Sequence, residues 1–220
     1  MKTIKQILTS LEKQDGMSKL FDIVEVLQKE KKFALLNEVS PLFIEENIEG
    51  LRKKIVPQLI ILRGASNSGK STLARRLYPD YTVVGFDSFL MKRYPRLNYS
   101  LANKKWFQLS KVEKGLFKNE REREFMTLLA ERKNIVVDET NISLSQIEGN
   151  LKWVDTAIYD VHVVEIDVDL PTLKERNLQR SMDTGKFIPP HVIESMVEGM
   201  SPLTPEYIDH LGIESYRITH

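Results

Sequence analysis

Apolar positions recur along this chain at two spacings, and the change between them near residue 57 divides it. Before that point the spacing is helical: Ile4, Ile7, Leu8 and Leu11 share one face, and Leu20, Ile23, Val24 and Leu27 share another. Asp15-Gly16 reads as the turn between these two helices. Lys29 to Lys32 reads as a solvated helix end, and Ser40-Pro41 as the start of a third helix with proline at its first position. Residues 1–56 carry no strand signal and no catalytic constellation. They are expected to form a helical extension used for packing, or for a homo-oligomer assembled through its helices. From residue 57 short apolar runs alternate with amphipathic stretches. "PQLIILRGASNSGK" predicts strand, turn and helix, and "YTVVGFDSF" (81–89) predicts a second strand ending at an aspartate. "KNIVVDETN" (133–141) and "HVVEIDVD" (162–169) predict a third and fourth strand, and "SYRITH" a short fifth. Helical patterns lie between them, as over Lys118–Arg132 and Pro171–Arg180. Strands alternating with helices predict an α/β domain over 57–220, with a parallel sheet and right-handed crossovers. Ligands in such sheets bind beyond the carboxyl ends of the strands, where each candidate chemical group of this chain falls.

Composition narrows this picture in a few places. The chain has 220 residues, 41% hydrophobic and 29% charged, which is ordinary globular composition. A net charge of +1 provides no global field for nucleic acid, so any such role must rest on a local patch. With no cysteine, disulfides, thiolate chemistry and thiolate zinc sites are excluded. The first sixteen residues lack an apolar core long enough for a signal peptide, and nothing approaches a membrane span. The expectation is a cytoplasmic, intracellular protein without a membrane partner.

The segment Gly64-Ala65-Ser66-Asn67-Ser68-Gly69-Lys70-Ser71 matches G-x-x-x-x-G-K-[ST] in full. Glycines let such a loop wrap closely and point its N–H groups inward, and the following helix aims its positive end at phosphates. The pattern predicts a bound nucleoside triphosphate, ATP with Mg²⁺. Lys70 is expected on the β- and γ-phosphates, the Ser71 hydroxyl on Mg²⁺, and Thr72 near the α-phosphate. The same loop serves GTPases, motors and transporters, so it does not by itself identify a kinase.

Three further places carry chemistry. Asp87 falls where the second strand should end, and phosphoryl transfer to a hydroxyl needs a carboxylate that orients the nucleophile and takes its proton. The alternative there is an aspartate capping the next helix. Asp138, and less so Glu139, close the third strand, where an acid commonly orders a Mg²⁺ shell. Thr140 and Asn141 follow, placed to hold substrate, to brace the loop or to cap a helix starting near Ile142. Arg176 and Arg180 share one helix face at i and i+4, in a lid-like segment near 176–190 broken at "SMDTGKFIPP". Lid arginines of this kind neutralise charge on a transferring phosphoryl group, and the bland alternative is a solvated basic face paired with Glu175.

Taken together, these residues make the chain resemble the phage-type 5′-hydroxyl polynucleotide kinases of the P-loop kinase superfamily, whose folds are adenylate-kinase-like. The resemblance covers roughly residues 58 to 200 and runs through "GASNSGKSTLA", the Asp87 stretch, "VVDETN", "ERNLQR" and "IPPHVIESM" in order. It implies Asp87 as general base, Arg180 on the ATP phosphates, and Lys70 and Ser71 as the loop's lysine and serine. A phage-encoded enzyme acting in a host cytoplasm fits it. Two departures stand out. The family commonly has an arginine three residues after the base, and here that position is Leu90, with Lys92 or Arg93 as candidate replacements near the acceptor. The D-x-D-G-T motif of a fused 3′-phosphatase is absent, so kinase activity alone is expected.

Between Met91 and Lys118 lie eight cations against Glu113 alone, a local charge of +7, with Tyr94, Tyr99, Trp106 and Phe107 interleaved. A positive track with stacking rings suits single-stranded nucleic acid, and the bland alternative is a solvated helical pair whose rings are core. Three readings follow. One is a kinase of 5′-hydroxyl ends in DNA or RNA. The second is a P-loop kinase of another hydroxyl, on a hydroxymethylated base, a nucleoside, a sugar or a nucleotide-sugar. The third, a non-catalytic nucleotide-binding interaction protein, is opposed by the intact loop, base and lid.

Overall fold

The computed structural model describes residues 16–29 and 56–219. In chain order the elements are α1 (Gly16–Lys29), β1 (Gln58–Arg63), α2 (Lys70–Leu77), β2 (Thr82–Val84), α3 (Phe86–Arg93), α4 (Tyr99–Gln108), α5 (Lys111–Ala130), β3 (Ile135–Asp138), α6 (Leu144–Leu151), β4 (Asp160–Asp167), α7 (Leu170–Thr184), α8 (Pro190–Glu198), α9 (Pro205–Leu211) and β5 (Glu214–Thr219). The expected helix at Ile4–Leu11, the Asp15-Gly16 turn and the helix at Ser40-Pro41 lie outside the described residues.

The chain divides into two compact units, Met1–Gln58 with Asp155–Asp160, and Leu59–Val154 with Val161–His220. Within the first unit α1 buries Ile23 and Leu27 of the expected face, with Val26 buried beside them and Val24 half-buried. The Asp160 amide there donates to the Pro57 carbonyl at 3.0 Å.

The second unit holds the sheet, in the order β2-β3-β1-β4-β5. It is the expected parallel sheet flanked by helices. Central β1 buries Leu59 to Arg63 without a break, as a strand covered on both faces must. Register pairs Leu62 with Asp138 and Val84 with Val137, so the chain leaving β1, β2 and β3 emerges at one edge. Two glycines permit the crowding there. A Cβ on Gly64, at φ 145°, would sit 2.7 Å from the Ile166 carbonyl oxygen. One on Gly85 would sit 2.6 Å from that of Asp138. Neither clash involves a group that can swing away, so only glycine fits.

Boundaries differ from expectation where caps intervene. The second strand stops at Val84, and Asp87 lies in the first turn of α3 rather than at a strand end. Helix α5 starts at Lys111 rather than Lys118, because Ser110 and Glu113 form a reciprocal capping box. Ser143, not Thr140 or Asn141, caps α6 in the same way with Gln146. Helix α7 continues past Arg180 to Thr184 and ends at Gly185, whose φ is 71°.

Helices α3, α4 and α5 enclose a second apolar cluster built on Leu90, Ala102 and Phe117. Trp106 meets Phe117 at 4.7 Å and Phe86 at 5.0 Å between ring centroids, and Tyr94 and Tyr99 pack against the same cluster. This corrects the expected stacking track: three of the four interleaved rings belong to the core, and Phe107, 69% exposed, is the ring left in solvent. Among the described residues no helix is long and apolar enough to cross a membrane.

Candidate active site

The loop from Gly64 to Gly69 leaves β1 and enters α2. Its Gly64 amide donates to the Thr140 carbonyl at 2.9 Å, which binds the loop to the chain leaving β3. Lys70 folds back into the loop, 8% exposed, and its Nζ donates to the carbonyls of Gly64 (2.9 Å) and Ala65 (2.7 Å) and to Ser68 Oγ (3.3 Å). Burial lowers the Lys70 ammonium to about 8, against the attraction of Asp138 and with repulsion from Arg180 and Lys186. Ser71 and Thr72 are exposed at the start of α2, with Arg75 3.5 Å from the Thr72 hydroxyl.

The Lys70 shift makes a prediction. A triphosphate favours the ammonium, so binding ATP draws a proton onto whatever fraction of Lys70 is neutral. Uptake is therefore larger near pH 8.5 than near pH 7, and affinity falls as pH rises through about 8. Calorimetric titration in two buffers of different ionisation enthalpy measures this. Equal uptake at both pH values would contradict it.

Both lid arginines reach the loop. Arg176 donates to the Ser68 carbonyl at 3.3 Å and Arg180 to Asn67 Oδ1 at 3.2 Å. Asn67 stands at φ 69° and donates in turn to Asn177 Oδ1 at 3.2 Å. The i, i+4 spacing was the visible signal for the arginines, whereas Asn177, 2% exposed, was not anticipated.

The Asp87 side chain is half exposed, with both carboxylate oxygens engaged. Tyr99 Oη donates to Oδ1 at 2.9 Å, and Lys186 Nζ donates to Oδ2 at 2.5 Å while lying 3.8 Å from the centroid of the Tyr99 ring. Burial, and then the neighbouring carboxylate, push the Tyr99 hydroxyl upward, so it stays a donor. Burial lowers the Lys186 ammonium while Asp87 opposes that shift. Lys186 was not anticipated, and Tyr99 was read as a stacking ring rather than as a partner of Asp87. Asp138 and, more weakly, Asp87 attract Lys70, so both acids act electrostatically on the loop's lysine.

Other expected residues are engaged elsewhere. Asn141 is 1% exposed; its Nδ2 donates to the Leu62 carbonyl at 2.7 Å and its Oδ1 accepts from Asn150 at 2.9 Å, so it braces the loop after β3. Thr140 supplies its backbone carbonyl to Gly64. Glu139 pairs with Arg121 at 2.8 Å. Lys92 and Arg93 pair with Glu124 (2.7 Å) and Glu120 (2.5 Å) on α5, and Leu90 is fully buried. A further brace went unread because arginine is rarely interior. Arg63, 0% exposed, pairs with Glu165 at 2.6 Å and donates to the carbonyls of Asn141, Ile142 and Ser201, locking the strand before the loop.

Comparison with known proteins agrees with the resemblance drawn from the sequence. A protein of Autographa californica nuclear polyhedrosis virus, provisionally named a bifunctional polynucleotide kinase/RNA ligase, is 27% identical over 180 residues. That match covers 71% of this chain and 25% of the viral protein, so the chain spans about a quarter of its relative's length. A chain of the Pnkp1/Rnl/Hen1 RNA repair complex superposes with a TM-score of 0.54 at 29% identity, over 66% of this chain and 44% of that one. A Chloroflexus aurantiacus protein provisionally described as a kinase shares the fold at a TM-score of 0.50 and 18% identity, over 74% of this chain and 85% of its own. The profile of one family, described as an AAA domain, matches residues 59–203. That span contains the phosphate loop, Asp87, Asp138, Arg176 and Arg180, and the chain belongs to this family, AAA_33.

Proposed function

We propose that the chain transfers the γ-phosphoryl group of ATP to the 5′-hydroxyl end of a nucleic acid strand. The observation that carries this reading is the bond between Tyr99 and Asp87. Tyr99 opens α4, so the cation-bearing helix starts at the carboxylate proposed as the base. Of the eight cations from Met91 to Lys118, three pair with acids of α5 and two lie over rings, at Tyr94 and Trp106. Arg96, Lys104 and Lys111 remain for phosphates. The viral relative's name and the repair-complex neighbour support a polynucleotide acceptor.

In this mechanism the triphosphate lies on Gly64–Thr72, displacing Lys70 from the loop carbonyls to the phosphates. A cavity of about 480 Å³ beside Ala65 and Ser68, with Val168, Leu173 and Leu203 in its walls, has room for the adenine. Asp87 orients the acceptor hydroxyl and takes its proton as the oxygen bonds to the γ-phosphorus and the bond to the β-phosphate oxygen breaks, releasing ADP. Lys70 and Arg180 offset the charge of the transferring group. The described residues hold no cluster of three His, Cys, Asp or Glu suited to a metal. That fits Mg²⁺, which is held by one or two protein oxygens together with phosphates and water. Ser71 Oγ and Asp138 would hold it here, and it would supply polarisation of the phosphates.

A second reading, a kinase of a small neutral acceptor, is favoured by Leu90. Buried in the aromatic cluster, it offers no contact to a phosphate next to the acceptor sugar. Salt separates the two readings. Three phosphate contacts weaken single-strand binding by roughly twentyfold between about 50 and 200 mM salt. The KM for an oligonucleotide should rise accordingly, and Lys104→Ala should flatten the slope. An oligonucleotide KM indifferent to salt, with efficient transfer to a sugar, would overturn the polynucleotide reading.

A further inference from the structure

We infer that Lys186 is a positioning residue that ties the readiness of Asp87 to the seating of the lid, an inference that rests on Asp87 being the base. Helix α7 ends at Gly185, and the left-handed cap turns Lys186 back toward α3. The turn is held from two sides. Ser100 Oγ donates to the Gly185 carbonyl at 3.2 Å, fixing it to α4. Asn177 takes both backbone groups of Ile188, donating to its carbonyl at 2.7 Å and accepting its amide at 3.1 Å. The Asn177 side chain also accepts from Asn67 of the phosphate loop, at 3.2 Å. One buried asparagine therefore joins the nucleotide loop to the strap that carries Lys186.

The strap delivers a single cation to the base. The Lys186 side chain is 13% exposed, crosses the Tyr99 ring face and ends on Asp87 Oδ2, while Tyr99 Oη holds Oδ1. A carboxylate on a short side chain can rotate about its terminal bond, and two donors on opposite oxygens stop that rotation. The lone pairs left over then keep a fixed direction, and the half-exposed side chain leaves room for an acceptor hydroxyl to approach. If the lid is displaced, Lys186 leaves with it and the carboxylate keeps only Tyr99. Base orientation and lid closure thus become one event, transmitted through groups in contact.

The test is a double-mutant cycle on kcat with the full chain. Lys186→Met should lower kcat about thirtyfold through loss of base geometry. The KM for ATP should stay within about threefold, because the phosphate loop and both lid arginines are untouched. Lys186→Arg, which keeps a donor cation, should restore much of the loss. In an Asp87→Asn background the Lys186→Met change should cost nothing further, since the carboxylate it positions is gone. An Asp87→Asn variant that turns over normally would sink the base assignment itself. A dead Asp87→Asn with a fully active Lys186→Met would overturn only the Lys186 inference. A Lys186→Met loss that persists undiminished in the Asp87→Asn background, with a raised KM for ATP, would instead make Lys186 a phosphate contact.

Discussion

Asp87→Asn is expected to lose about a thousandfold or more of the transfer rate while binding ATP within about threefold of the wild type. The carboxamide cannot accept the proton that the acceptor hydroxyl must release. It also has one oxygen where the native group has two, while Tyr99 and Lys186 both present donors. One of those donors must then face an NH₂ group, so the remaining oxygen is misdirected as well. ATP affinity should be spared, because in the proposed arrangement the nucleotide is held by Gly64–Thr72 with Arg176 and Arg180, and Asp87 acts on the acceptor. Single-turnover transfer and equilibrium nucleotide binding, measured on the same preparation, separate the two effects. Turnover close to wild type would remove Asp87 from the base role.

Lys70→Ala is expected to impair both chemistry and binding, by about a thousandfold in rate and tenfold or more in ATP affinity. In the proposed mechanism the ammonium moves to the phosphates as their main cation. In the free protein its Nζ is the donor to the Gly64 and Ala65 carbonyls. An unpaired buried carbonyl costs about 1–3 kcal/mol, so the loop should also loosen. Removing an ammonium whose own burial is unfavourable offsets part of that, and the melting temperature should change less than nucleotide binding does. Normal rates with normal ATP affinity would sink the nucleotide assignment of the loop.

Those two residues show how much of the site was legible in the chain. Lys70 was readable because its role depends on local spacing: the glycines, the lysine and the apolar strand before them are contiguous. Asp87 was legible as an acid following the second strand but was misplaced by one element. The short β2 and the tight passage of Gly85 over the Asp138 carbonyl put it in a helix's first turn. Lys186 and the bond of Tyr99 to Asp87 stayed hidden because the partners lie 99 and 12 residues away, and neither residue type is unusual on a surface. The interleaved rings misled for a related reason. Aromatic spacing is the same whether rings stack on bases or on each other, and only the packing of α3, α4 and α5 decides. Arg63 ran against expectation outright: a fully buried guanidinium is tolerable because Glu165 and three carbonyls use its donors.

The sheet itself was legible to within a few residues per strand. Its strands are short apolar runs with punctuating glycines and acids, and parallel pairing followed from their alternation with helices. Its order, with β1 between β3 and β4, came only from the structure.

The measurement that tests the central claim most directly is the position of transferred label. The chain is incubated with γ-labelled ATP, Mg²⁺ and a single-stranded oligonucleotide bearing a 5′-hydroxyl. A parallel sample holds the same strand already phosphorylated at that end and carrying an internal hydroxymethylated base. Each product is then digested to 5′-mononucleotides. Phosphoryl transfer to a 5′ end predicts label in the terminal mononucleotide of the first strand and none in the second. Label within the second strand, or on neither strand while a sugar or nucleoside is phosphorylated, would contradict it.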